Sequence, residues 1–187
     1  MFARTQRLTL RPAWPEDAAA LAQAIAHDAV ARMLMRVPHP YDIADAEAFC
    51  AQPRGPHEPR FLILSHDMAS DSGSAPALIG GIGIVDHGEQ DLQLGYWLTP
   101  SAWGRGYATE AGRAVVDMAR HALPLRRLAA WHFADNPASG AVLRKLGFRR
   151  AGPSLVKSSA GRREPAAAVG YALDLDEDQR PVMRFAA

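Results

Sequence analysis

Cysteine is nearly absent from this chain. With Cys50 alone among 187 residues it can close no intramolecular disulfide and build no cysteine-based metal site, which points to a reducing compartment. Charge of one sign is missing too. The formal net charge is +1, so no broad nucleic-acid surface is expected, and the basic run Arg144, Lys145, Arg149 and Arg150 is at most a local patch. No segment approaches the roughly 20 apolar residues of a membrane span, and Met1 to Arg7 lacks a signal-peptide apolar run. These absences predict a cytoplasmic protein without a membrane or nucleic-acid partner. His27, His39, His57, His66, His87, His121 and His132 are scattered, without the close pairs that hold zinc, so no metal is expected.

What is present suits one buried core. A length of 187 residues and 48% hydrophobic content predict a single domain over 1–187, with its core at about 5–175. Leu8 and Leu10 alternate with polar neighbours as in a half-buried strand. A helix follows, on the spacing of Ala18, Leu21, Ala22, Ile25 and Ala26, and a second is predicted over Ile43 to Gln52. Strands are predicted over Phe61 to Leu64, Leu78 to Val85 and Leu92 to Leu98, the first two separated by a Ser, Asp, Gly and Pro-rich loop from His66 to Pro76. Then come a helix over Thr109 to His121, a strand over Leu125 to Phe133, a helix opened by Asn136 and Pro137 and closed by Gly147, and a strand over Ala167 to Leu175. This order lacks the regular alternation of a doubly wound fold and implies an α/β (α+β) mixed sheet with helices on its faces.

The most informative stretch is Trp103-Gly104-Arg105-Gly106-Tyr107-Ala108-Thr109-Glu110-Ala111, directly after the apolar strand Leu94 to Leu98. Glycines let the backbone approach a ligand, and the unpaired N–H groups of a helix's first turn attract an anion. The segment is therefore a candidate phosphate cradle. It lacks the lysine and hydroxyl pair of a Walker P-loop, which argues against a nucleotide triphosphatase.

Taken in order, Leu94-Gly95-Tyr96-Trp97-Leu98, the glycine stretch, Asn136-Pro137-Ala138-Ser139 and Leu143-Arg144-Lys145-Leu146-Gly147-Phe148 resemble the GNAT superfamily of acetyltransferases. Arg7 to Pro12 and Pro40 to Glu47 look like the branch that includes the RimJ and RimL ribosomal-protein N-terminal acetyltransferases. The resemblance implies a central, mostly antiparallel sheet of six to seven strands flanked by about four helices. It implies acetyl-CoA as cosubstrate, with its pyrophosphate on the amides of Gly104, Arg105, Gly106, Tyr107, Ala108 and Thr109. It sets the pantetheine arm along Trp97, Leu98 and Thr99, with the Leu98 amide polarising the thioester carbonyl. Asn136 would also contact that arm, and Ser139 would protonate the departing thiolate. A homodimer is consistent with the family.

The general base is the gap. Where relatives frequently carry Glu, this chain has Gln93, which accepts no proton. Asp86, His87, Glu89, His132 and Glu164 remain as candidates. Cys50, on an apolar helix face, suits packing better than nucleophilic attack. The expected function is acetyl transfer from acetyl-CoA to a primary amine, a protein N-terminus or a small molecule, by direct attack in a ternary complex. The alternative is a noncatalytic acyl-CoA-binding or sensing domain.

Overall fold

A computed structural model describes residues 2–53, 55, 58–69, 76–88 and 91–176. In chain order the elements are β1 (Ala3–Arg4), β2 (Leu8–Arg11), a 3-10 turn (Pro15–Asp17), α1 (Ala18–Ile25), α2 (Asp28–Ala31), α3 (Ile43–Ala51), β3 (Arg60–Ala69), β4 (Pro76–Val85) and β5 (Gln93–Leu98). A second 3-10 turn (Pro100–Ala102) leads to α4 (Tyr107–Ala122), β6 (Arg127–Phe133), α5 (Pro137–Lys145), β7 (Arg149–Arg150), β8 (Leu155–Lys157) and β9 (Ala166–Asp174).

Among the described residues the strands form one nine-stranded sheet in the order β1-β2-β3-β4-β5-β6-β9-β7, with β8 also on β9. Three of the nine, β1, β7 and β8, are edge pieces of two or three residues with no periodicity of their own, which accounts for the excess over six to seven. The one-turn α2 likewise adds a fifth α-helix to the four expected.

Each entry into a helix has a local cause. Asp17 accepts two hydrogen bonds from Arg11 (2.6 and 2.7 Å) and one from the Trp14 N–H (2.7 Å), fixing the turn from β2 into α1. Burial pushes the Asp17 carboxyl up, but the Arg11 and Trp14 hydrogen bonds and the Arg11 charge hold it below the ordinary range. Asp42 and Asp45 cap α3 reciprocally (3.0 and 3.1 Å). Helix α4 buries Ala108, Ala111, Val115 and Ala119 at helical spacing. A buried valine contributes roughly 1.5–3 kcal/mol, so this stripe anchors α4 far more firmly than its polar face could.

The two faces of the sheet carry separate cores. Leu8, Leu10, Ile63, Ile79, Ile82 and Ile84 pack with α4 and with Leu143 and Leu146 near the end of α5. On the other face Leu21 of α1 and Ala46 and Cys50 of α3 pack on Leu62, so the Cys50 thiol lies inside a helix–sheet contact.

One expectation is corrected here. His66 to Ala69 continues β3 and does not open a loop: the His66 N–H donates to the Arg7 carbonyl (2.9 Å), and Ala69 pairs with Pro76. Pairing on both sides overrides a polar, turn-like sequence. Residues 70–75 of the expected loop lie outside the described residues.

Candidate active site

The sheet is antiparallel except where β5 meets β6. Those two strands run parallel and share one rung, Gln93 opposite Ala129, closed by the Ala129 N–H donating to the Leu92 carbonyl (2.9 Å). Beyond it β5 stays with β4 and β6 stays with β9, so the sheet parts along Leu94 to Leu98.

Antiparallel alternation decides which backbone groups face the parting. The Thr99 N–H donates to the Ile79 carbonyl (2.8 Å), on the β4 side. Counting back in steps of two, Trp97 and Gly95 also spend their backbone groups on β4, while Tyr96 and Leu98 turn theirs toward the parting. Of the expected trio Trp97, Leu98 and Thr99, only Leu98 therefore offers its N–H there. Its carbonyl is taken, because the Trp103 indole N–H donates to it (2.9 Å). Trp103 is thus a half-exposed ring hung from the end of β5.

The glycine turn lies at the foot of the parting. Gly104 (φ +74°) and Gly106 (φ +83°) are both left-handed, where a side chain is strained. Gly106 is the N-cap of α4 and supplies no side-chain cap, so the first-turn amides of Tyr107, Ala108 and Thr109 carry no intrahelical bond. The Tyr107 side chain is buried and Thr109 nearly so, whereas the Arg105 side chain is exposed. A cavity of about 600 Å³ opens beside Gly106, lined by Arg7, Thr109, Glu110, Arg113 and Lys145 among others.

A brace holds this turn that sequence reasoning missed. Glu110, in the first turn of α4, accepts from the Thr5 hydroxyl (2.6 Å), the Arg7 N–H (2.9 Å) and the Arg7 guanidinium (2.8 Å at Nε, 2.7 Å at Nη2). Arg7 Nη1 also donates to the Arg105 carbonyl (3.1 Å), and its Cζ lies 4.5 Å from the Tyr107 ring centre. Burial pushes the Glu110 carboxyl up, but these hydrogen bonds and the Arg7 charge outweigh it and hold it below the ordinary range. Tyr107 in turn donates to Asp67 Oδ1 (2.7 Å), which also accepts from Ser65 (2.5 Å), and those two hydrogen bonds hold the Asp67 carboxyl low.

Asn136 and Ser139 stand across the parting. The Asn136 side-chain oxygen accepts the Ser139 N–H (3.2 Å), capping α5. Ser139 Oγ sits 2.8 Å from the Tyr96 hydroxyl, which donates to the Ser139 carbonyl (2.9 Å). With its own proton committed to that carbonyl, Tyr96 accepts from Ser139 Oγ–H. Burial pushes the Tyr96 phenol up to about 12, despite the Ser139 hydrogen bond, so it stays protonated at working pH. The 43-residue separation of Tyr96 from Ser139 leaves this pairing without a local sequence signal.

The base candidates do not converge here. Asp86 Oδ1 accepts the Gly88 N–H (2.7 Å) in the β4–β5 turn, at the closed end of the parting. The six-residue β5 separates that turn and His87 from Leu98 by about 16 Å. His132 is buried beneath Gly140 of α5, its Nδ1 donating to the Phe133 carbonyl (2.7 Å). Gln93 is buried and its Oε1 accepts the Trp131 indole N–H (3.0 Å). Glu164 is exposed in the β8–β9 loop, and Glu89 lies outside the described residues. Among the described residues no cluster of three or more His, Cys, Asp or Glu could hold a metal, and no helix is long and apolar enough to cross a membrane.

The chain belongs to the GNAT family of acetyltransferases: the family model for the acetyltransferase (GNAT) domain matches residues 7–149. An uncharacterized N-acetyltransferase of Bacillus subtilis, YnaD, is 29% identical over 109 residues, 58% of this chain and 60% of that one. A second B. subtilis relative, YoaA, is 38% identical over 40% of this chain and 44% of its own. The chain thus spans about half the length of these curated relatives. Among solved structures, an acetyltransferase from Agrobacterium tumefaciens superposes with a TM-score of 0.66 at 29% identity, covering 92% of this chain and 94% of that one. RimL in complex with coenzyme A shares the fold, with a TM-score of 0.77 at 19% identity over 95% of this chain and 100% of that one.

Proposed function

We propose that the chain, taken as one domain over 1–187, is an acetyl-CoA-dependent N-acetyltransferase that transfers acetyl to a primary amine by direct attack in a ternary complex. The observation that carries this reading is the parted sheet with the Leu98 N–H turned into it, above a helix start whose amides have no side-chain cap. These features fit the cosubstrate. The amides of Gly104 to Thr109 suit a pyrophosphate, and Arg113 and Lys145 in the adjoining cavity suit the remaining phosphate. The backbone groups of Tyr96 and the Leu98 N–H suit an amide-bearing arm laid in as an added strand, with Asn136 beside it.

When bound, acetyl-CoA supplies an acyl group activated as a thioester. Leu98 N–H is a preorganised donor for an oxygen that gains negative charge. Ser139 Oγ–H rests on the Tyr96 oxygen and would turn from it to protonate a departing sulfur, the alkoxide left behind taking back a proton from the water that received the amine's. With Gln93 engaged by Trp131, the amine's proton leaves to water. The likeness to RimL favours the RimJ and RimL branch, a cytoplasmic setting suits the single cysteine, and a homodimer accords with family precedent. The decisive experiment follows CoA release across an amine panel. An acceptor-dependent rate supports the reading, and a rate unchanged by every amine overturns it. The second reading, a noncatalytic acyl-CoA sensor, draws on Gln93 and predicts calorimetric acetyl-CoA binding without turnover.

A further inference from the structure

Two side chains fix the glycine turn from opposite ends. At its start the Trp103 indole N–H donates to the Leu98 carbonyl (2.9 Å), and at its end the Arg7 guanidinium donates to the Arg105 carbonyl (3.1 Å). Neither Gly104 nor Gly106 brings a side chain of its own to anchor the turn. The atom that an added Cβ at Gly106 would meet is Arg7 Nη2, at 3.6 Å, so the guanidinium stands directly beside the N-cap of α4.

Planarity turns this contact into a statement about an amide. The Arg105 carbonyl and the Gly106 N–H belong to one trans peptide unit, in which C=O and N–H point in opposite directions. With the carbonyl drawn toward Arg7, the Gly106 N–H is turned away from the guanidinium. The Gly106 carbonyl is spent inside the helix, where it accepts from the Glu110 N–H (3.0 Å), whereas the Gly106 N–H has no partner among the described residues. It heads the row of amides that continues with Tyr107, Ala108 and Thr109.

The arginine is itself held on three sides. Thr5 Oγ and the Arg7 N–H occupy Glu110 Oε1 (2.6 and 2.9 Å), which leaves Oε2 to Nε and Nη2 of the guanidinium (2.8 and 2.7 Å). The Tyr107 ring centre lies 4.5 Å from Cζ, and the ring is tied through its hydroxyl to Asp67. A planar fork so placed reaches the carboxylate and the carbonyl together, and the three tetrahedral donors of a lysine do not reproduce that plane. The charges of Arg7 and Glu110 cancel. What the pair gives the turn is therefore direction. Arg113 and Lys145 line the adjoining cavity too, but among the described residues neither bonds to the turn.

Resting on the acetyl-CoA reading above, we infer that Arg7 is a positioning residue for the cosubstrate: it presets the Arg105–Gly106 peptide so that the Gly106 N–H faces the pyrophosphate before that group arrives. Its effect is confined to the phosphate half of the donor. That confinement separates it from a general support of the fold.

The test compares acetyl-CoA with S-acetylpantetheine, the same thioester on the same arm without the nucleotide. Arg7→Lys keeps the charge opposite Glu110 and loses the fork. It is expected to weaken acetyl-CoA by about tenfold, the scale of one charged hydrogen bond, in the calorimetric Kd and in KM alike, with kcat within about twofold. For S-acetylpantetheine, kcat/KM should stay within about twofold of the parent's. Glu110→Gln, which takes away the carboxylate that holds the fork, should move acetyl-CoA the same way by about threefold and likewise spare S-acetylpantetheine. Equal losses on the two donors would overturn the inference by making Arg7 a general support, and an unchanged acetyl-CoA affinity in Arg7→Lys would show the contact to be idle. Both results leave acyl transfer intact. A parent that binds acetyl-CoA yet turns over no amine would instead remove the acyl-transfer reading, and the calorimetric ratio of Arg7→Lys to parent would still decide the role of Arg7. Absence of acetyl-CoA binding in the parent would overturn the inference together with the reading it rests on.

Discussion

On one side of the parting the proposed donor site takes its backbone donors from a single contiguous run, Trp97 to Thr109: first-turn amides and the Leu98 N–H. On the other face, residues 31–35, 131–135 and 157–162 meet through side chains committed to neighbouring groups: Ser159 to the Leu34 carbonyl, and Arg162 to Asp135 and the Phe133 ring. A backbone site tolerates most changes that keep φ and ψ, whereas a contact between side chains changes with every substitution. One scaffold can thus keep its donor site while its other face varies.

The contrast is tested most severely at Gly106. Gly106→Glu puts a side chain at φ +83° and a negative charge among the first-turn amides, and should weaken acetyl-CoA binding more than about a hundredfold by calorimetry. Its stability cost should stay near about 1 kcal/mol, the price of left-handed strain. Retained binding would refute the donor side as drawn. Tyr96→Phe removes the hydroxyl from Ser139 and should lower kcat by about tenfold with KM for acetyl-CoA within about twofold. A matched rise in KM would reassign Tyr96 to cosubstrate binding.

On the other face, Gly161→Ala forces a Cβ against Ala31 and should cost about 1–3 kcal/mol of stability, read from the thermal midpoint, with the KM for acetyl-CoA unmoved. The smallest effect belongs to Glu110→Gln. The folded carboxyl lies below the ordinary glutamate value of 4.5, so its stabilisation is complete above about pH 4.5 and fades as pH falls through the lower folded value. The gap in thermal midpoint between variant and parent should therefore be full at pH 7 and narrow toward pH 3. A constant gap would show that the Thr5–Arg7 brace is not electrostatic.

What was legible in advance follows the same division. The glycine turn, the helical spacing of α4 and the Asn136 cap are local statements, written within one turn or strand. The direction of the Leu98 amide follows from strand alternation once a single bond, Thr99 to Ile79, is known. Contacts across long separations carry no local signal: Thr5 and Arg7 meet Glu110 from 105 and 103 residues away, and Arg162 reaches Arg32 across 130. His66 to Ala69 looks like a loop in sequence because it opens a Ser, Asp, Gly and Pro-rich stretch, yet pairing with flanking strands outweighs that composition. The base candidates misled for a related reason: Asp86 and His87 are adjacent to β5 in sequence but at its wrong end.

The lone rung at Gln93 and Ala129 has a mechanical meaning. It makes the sheet two antiparallel panels, residues 3–98 and 127–174, riveted at one point and backed by α4 and α5. A guest that bonds to both panels supplies the rivets the chain omits. Its binding energy is therefore also cohesion between the panels, and a protein starved of that guest is held together less tightly than one supplied with it.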